Sequence, residues 1–257
     1  MKKLILFLLL ASPAFGTIAF VNSQQKVGGT TGTNGSGSIS LTAGNIELVF
    51  ASFYNGALNN PHVTGISDTA GDASYTLLGR FAFTDTNCNG TGTGTTTPCV
   101  LTEVWYTTIA STNATASITV TSTPTGTGTS VALHFDQYSA VAAVNTSNVQ
   151  LGGAAATPPA ASLTITTADA NNFVVGGFGV HPAGTITASG CTGRGSTVAN
   201  SGGTVQLGVC DNTSASAGTA TSVGFSSNTW GAAAVELCSV NPCVASAAIT
   251  NNVVIIQ

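Results

Sequence analysis

Three histidines and nine carboxylates are the acid and base groups from which this sequence could build a catalytic centre, and their spacing supplies no ready-made one. The Gly-x-Ser-x-Gly turn that presents a serine nucleophile is absent from the sequence. So is the Glu-x-Asp-x-Glu strand that holds an acid and a nucleophile on one sheet face of jelly-roll glucanases. A glycoside hydrolase or lyase acting through Glu47, Glu103 or Glu236 would need the fold to bring two carboxylates together, so no catalytic residue is assigned. His62 and His181 each adjoin a proline and read as surface histidines. Asp68 and Asp72 flank a glycine turn of the kind a calcium loop uses, but an Asx-turn accounts for the same residues and further oxygen ligands are missing nearby. No metal or cofactor is assigned.

A richer pattern comes from side chains that alternate, because residues i and i+2 of a strand share a face. From Val131 to Tyr138, the apolar Val131, Leu133 and Phe135 oppose His134, Asp136 and Tyr138. From Trp230 to Cys238, Ala233, Val235 and Leu237 oppose Trp230 and Glu236. Glu103 and Trp105 share a face about 7 Å apart. If the apolar sets fill one core, the sequence predicts an outward sheet face of Glu103, Trp105, His134, Asp136, Tyr138, Trp230 and Glu236. Flat rings for stacking and acceptors for hydroxyls are what a sugar-binding face uses. Either tryptophan also suits a core, and Leu101 and Ile109 on Trp105's face pull it that way.

The elements that must carry these residues are strands. Short β-branched or aromatic runs, each bounded by turn residues, cover residues 18–21, 38–42, 46–54, 74–84, 100–110, 117–121, 131–138, 162–166, 173–180, 204–209, 219–225 and 230–238. About a dozen strands without helical periodicity predict an all-β antiparallel sandwich of jelly-roll type. A single domain over residues 17–243 suits that length. The Thr/Gly-rich stretches 28–37 and 89–97 read as surface loops, and an ice-binding array would need a regular Thr-x-Thr repeat along stacked strands.

Met1-Lys2-Lys3, the apolar run 4–11 and the small residues Ala14 and Gly16 in Ala14-Phe15-Gly16 read as a secretory signal, with cleavage expected after Gly16. The run is too short to span a bilayer, so an exported, secreted or cell-surface product that does not cross the membrane is expected. Removing the signal leaves Lys26, Arg80 and Arg194 against nine carboxylates, a net charge of −6. Three scattered cations cannot build a phosphate-binding patch, so a nucleic-acid partner is not expected. In an exported chain, Cys88, Cys99, Cys191, Cys210, Cys238 and Cys243 are expected to form disulfides rather than a zinc site, which would want a Cys-x-x-Cys pair. Of the fifteen pairings, the expected one joins neighbours, stapling three turn-rich loops. Beyond the last cysteine, the tail 244–257 carries Val253-Val254-Ile255-Ile256, apolar enough to add a strand within the domain or to a neighbouring chain.

Ala43-Gly44-Asn45 before a strand, Ser67 to Asp72 before Tyr75, Val104-Trp105-Tyr106, Gln137 to Val141, Ala170 to Gly177 and Trp230 to Val235 occur in that order. Together they resemble secreted bacterial and phage-associated β-sandwich domains of the concanavalin-like jelly-roll type. The resemblance spans roughly residues 36–238, consists of turns and core strands, and implies a fold without implying catalytic residues. The expected function is an extracellular, non-enzymatic binding or adhesion module for a polysaccharide or other surface glycan, an expectation that rests chiefly on fold analogy. A structural subunit of a matrix or fibre, self-associating through the tail, is the second expectation, and a hydrolase or lyase the third.

Overall fold

The computed structural model describes residues 16–26, 32–55, 61–71, 74–82, 99–123, 129–154, 161–181, 186–198, 205–214, 216, 218, 220–225 and 229–243. The described residues are all-β, with 72% of them in strands and several antiparallel sheets. In order the strands are β1 (Ala19–Lys26), β2 (Thr33–Gly35), β3 (Ile39–Leu41), β4 (Ile46–Asn55), β5 (His62–Asp68), β6 (Thr76–Ala82), β7 (Cys99–Thr108), β8 (Asn113–Ala116) and β9 (Ile118–Thr123). They continue as β10 (Thr129–Ser139), β11 (Ala143–Ala154), β12 (Ala161–Thr166), β13 (Phe173–His181), β14 (Thr192–Val198), β15 (Gln206–Thr213), β16 (Ala220–Phe225) and β17 (Thr229–Cys238).

Two five-stranded sheets, β1-β10-β4-β7-β6 and β11-β17-β13-β15-β14, pack face to face. Ile46, Leu48, Phe50, Val100 and Val104 of the first interdigitate with Val175, Leu207, Val209, Val235 and Leu237 of the second. The central strands of each sheet are covered on their second face as well. The first is covered by β2-β9-β5 and β3-β8 over a core containing Val49, Phe53, Leu133, Phe135, Ile118 and Val120. The second is covered by β12-β16 over Ile165, Phe178, Val223, Phe225 and Trp230. The result is four stacked layers with three interlayer cores.

The run Gly176-Gly177-Phe178-Gly179 shows how closely the central sheets approach. A methyl group at Gly177 would run into the Phe50 ring and one at Gly179 into the Ser52 hydroxyl, so only glycine fits there. The sandwich expectation holds, with seventeen strands among the described residues instead of about a dozen. The five not expected are β2, β5, β8, β11 and β14, which are short or rich in Asn, Ser, Thr and Gly.

Cys191 bonds to Cys210 and Cys238 to Cys243, two of the three neighbour pairings expected. These disulfides are compatible with an extracellular location. The Cys88–Cys99 pairing, the signal segment 1–15, Asp72 and the tail 244–257 lie outside the described residues. No helix among the described residues is long and apolar enough to cross a membrane. Cys191 and Cys210 enclose a separation of 19 residues. Replacing both by serine should therefore lower the unfolding free energy by about 3 kcal/mol in the chain-entropy account. Urea titration of the double variant checks this, and an unchanged midpoint would show that the bridge constrains nothing.

Candidate functional site

The alternation read from the sequence is present, but the outward face is not. Glu103, His134, Asp136, Tyr138 and Glu236 have no exposed area, Trp230 is 7% exposed, and Trp105 is half-buried. Nor do the seven share a surface. Glu103 and Trp105 point from β7 into the space beneath β5, His134, Asp136 and Tyr138 from β10 into the central interlayer, and Trp230 and Glu236 from β17 toward β12-β16. The expectation of one glycan-binding face is corrected, because a second apolar layer covers each sheet.

Glu103 and Glu236 instead each sit in a cage of donors. Glu103 Oε1 takes Arg80 Nε–H at 2.6 Å, Oε2 takes Trp105 Nε1–H at 2.9 Å, and the Val63 amide approaches both oxygens. Burial nonetheless raises the Glu103 pKa, the Trp105 and Val63 hydrogen bonds and the Arg80 charge opposing it. Glu236 accepts from four groups: Asn145 and Asn148 Nδ2 on Oε2 at 2.7 and 2.8 Å, and the Ala168 amide and Asn172 Nδ2 on Oε1 at 2.6 and 2.7 Å. That cage holds the chain between β12 and β13 against β17 and β11.

The densest chemistry lies between the central sheets under the edge strands β1 and β14. Tyr138 donates to Asp211 Oδ2 at 2.8 Å, and Arg194 grips the same carboxylate through Nε at 2.6 Å and a terminal nitrogen at 2.8 Å. The guanidinium lies 4.2 Å from the centroid of the Phe20 ring. Next to it, His134 Nδ1 is 3.0 Å from Asp136 Oδ2. His134 Nε2 and Asp136 Oδ1 are buried with no hydrogen-bond partner among the described residues. Burial raises the Asp136 pKa, as does the nearby Asp211 carboxylate, while the His134 and Arg194 charges and the His134 hydrogen bond oppose it. Burial and both carboxylates push the Tyr138 phenol well above its ordinary value. Gly195, at φ +128°, lets β14 close over this cluster, since a methyl group there would collide with the exposed Gln25 and lie 3.3 Å from His134 Nε2.

No family model, curated protein or solved structure matches the chain. Geometry alone therefore bears on what the site does. Glu47 and Glu103 lie on adjacent strands at a register offset of four residues, about 13 Å apart, and Glu236 lies in another interlayer. A glycosidase pair sits roughly 5–9.5 Å apart. Asp136 and Asp211 do interact, but both are buried and Asp211 is held by Arg194 and Tyr138. Asp68 accepts the Ala70 amide at 2.8 Å and the Tyr75 hydroxyl at 3.1 Å, the Asx-turn arrangement. Two of the cluster's main members, Asp211 and Arg194, were not singled out in the sequence.

What faces solvent is different in kind. In β9, Ile118, Val120 and Ser122 point inward and Thr119, Thr121 and Thr123 outward. Thr33 and Gly65 flank Thr121 across the sheet, and Gly35 and Ser67 flank Thr119. In β12, Ser162, Thr164 and Thr166 are exposed, and Thr164 shares a 2.7 Å hydrogen bond with Ser222 of β16. Both outermost sheets thus carry hydroxyl ladders, spaced about 7 Å along a strand and about 4.8 Å between strands. Among the described residues, Lys26 is the one charged side chain in the exposed class.

Proposed function

We propose that this protein is an exported, non-enzymatic adhesion module whose ligand is an uncharged polysaccharide surface met by the outer hydroxyl ladders. The supporting observation is the face of β2-β9-β5, where Thr119, Thr121 and Thr123 run down the central strand between Thr33 and Ser67. Hydroxyls exchange partners with water nearly one for one, so each gains only about 1 kcal/mol on binding. A useful affinity needs many such groups held rigid against a flat, ordered ligand. Threonine on a strand meets that condition, because its β-branch limits χ1 and a sheet fixes the spacing. An uncharged ligand is favoured because, among the described residues, Lys26 is the one charged side chain in the exposed class.

The test is retention of the mature, oxidised protein on insoluble cellulose and chitin. The triple variant Thr119→Val, Thr121→Val, Thr123→Val keeps side-chain shape and removes three hydroxyls, so affinity should fall on the order of 100-fold with the fold intact. Equal retention of parent and variant would sink the β9 face. Adsorption to ice with no retention on either polysaccharide would overturn the ligand class.

A second reading, a structural subunit of a matrix or fibre, is favoured by one specific feature, the long uncharged edge strand β11.

A further inference from the structure

β11 is the free edge of its sheet, hydrogen-bonded in the described structure to β17. Exposed edges are ordinarily blunted by charges, prolines or short length along the strand, or by a bulge, and β11 carries its one irregularity between Asn145 and Val149. It has none of the other three: Ala143 to Ala154 is twelve residues long and contains neither a charged residue nor a proline. Its register is regular from Val149 through Ala154. Along that regular stretch lies Leu151, 40% exposed and one of three exposed large hydrophobic side chains among the described residues. It lies beside the neighbouring edge strand β6, where a methyl group on Gly79 would sit 3.0 Å from both Leu151 and Val149. The opposite edges differ: β1 ends in Lys26, and β14 contains Arg194 turned into the core.

The segment of this chain that fits such an edge is the one after Cys243. Residues 244–257 contain no charge and no proline and include Val253-Val254-Ile255-Ile256. Cys243 is bonded to Cys238, which pairs with Ala143, so the segment starts at the end where β11 begins. Fourteen residues reach about 45 Å and twelve β11 residues cover about 40 Å, so the lengths match. Laid directly along its own β11 from that end, the segment would run parallel to it. Every pairing between described strands is antiparallel, and parallel pairing is the weaker of the two. A segment arriving from another molecule can add in the antiparallel sense.

We propose that residues 250–256 of one molecule add a strand to the β11 edge of a second copy. The contact is heterologous, tail to edge, so it leaves each new copy with a free tail and a free edge and extends into a chain of molecules. It rests on the structural-subunit reading and identifies the partner as the protein itself.

Two variants separate the halves of the contact in the full, oxidised protein. Deleting residues 250–257 removes the donor and leaves the edge, while Leu151→Lys puts a charge on the exposed edge and leaves the donor. In sedimentation velocity the parent should form concentration-dependent oligomers and each variant alone should remain monomeric. Mixed, the two variants should form a one-to-one pair that grows no further, because only one productive contact remains. Oligomers that persist in both variants would overturn the tail-to-β11 contact while leaving the structural reading standing. A parent that stays monomeric at every concentration overturns both. A monomeric parent whose melting temperature drops on deletion shows the strand added in its own molecule, which also overturns the proposal.

Discussion

Glu236→Ala is expected to lower the unfolding free energy by roughly 3–5 kcal/mol, a large fraction of what a domain has. The side chain is fully buried and accepts from four donors, Asn145 and Asn148 of β11 and the Ala168 amide and Asn172 of the connection between β12 and β13. Removing it strands those donors away from water, and each unpaired buried donor costs about 1–3 kcal/mol before relaxation. The decisive comparison is Glu236→Gln, which keeps size and shape. Every partner of Glu236 is a donor, so the glutamine amide would face two of them with its own N–H groups. Glutamine should therefore be nearly as damaging as alanine in urea unfolding. A glutamine variant within 1 kcal/mol of the parent (roughly the value of one hydrogen bond) would show that the cage is not acceptor-specific.

The parity of the main strands was legible in the sequence. Val131, Leu133 and Phe135 do face one side of β10 and His134, Asp136 and Tyr138 the other, and Trp105 does share its face with Leu101 and Ile109. What alternation cannot state is whether the polar side meets water. A strand reads as half-exposed when polar residues alternate with apolar ones, yet in β10 both sides are covered. The covering layer was only partly visible because three of its strands, β2, β5 and β8, are weak in sequence. β2 is Thr-Asn-Gly and β8 Asn-Ala-Thr-Ala, and each takes its place from the strand it pairs with rather than from its own propensity. The buried polar residues are tolerated because partners distant in sequence satisfy them: Tyr138 meets Asp211 and Arg80 meets Glu103. Such pairings leave no local signal. The outer ladders, by contrast, were readable. Ile118-Thr119-Val120-Thr121 and Leu163-Thr164-Ile165-Thr166 alternate cleanly, with hydroxyls alone on the second side.

Burial of charge in this sandwich also sets how stability responds to acid, in the opposite sense to most proteins. Stability is expected to fall as pH rises above the ordinary carboxyl values and through the raised pKa values of Glu103 and Asp136. Burial is the leading cause of the raised pKa of both Glu103 and Asp136, from ordinary values of 4.5 and 3.8. In the window between those ordinary values and the raised ones, the folded protein keeps protons that the unfolded chain has released. Folding then binds protons, so the contribution of these groups is complete below the ordinary values and is lost as pH rises through the raised ones. Tyr138 does not enter this window, because its phenol is held well above 10.0 and stays a donor to Asp211 throughout. Around Asp136 the facing charges are His134 on the same strand, Asp211 on β15 and Arg194 on β14, and the two carboxylates beside one arginine favour uptake of the proton. Urea unfolding across this range reads the slope directly. Asp136→Asn, which keeps an acceptor for His134 without the charge, should flatten the slope and raise the midpoint at pH about 7.5 by an amount that vanishes near pH 4. A midpoint that climbs with pH through the window, or an asparagine variant with the parent's slope, would show that the buried carboxylates are fully compensated by their partners and titrate as they would in water.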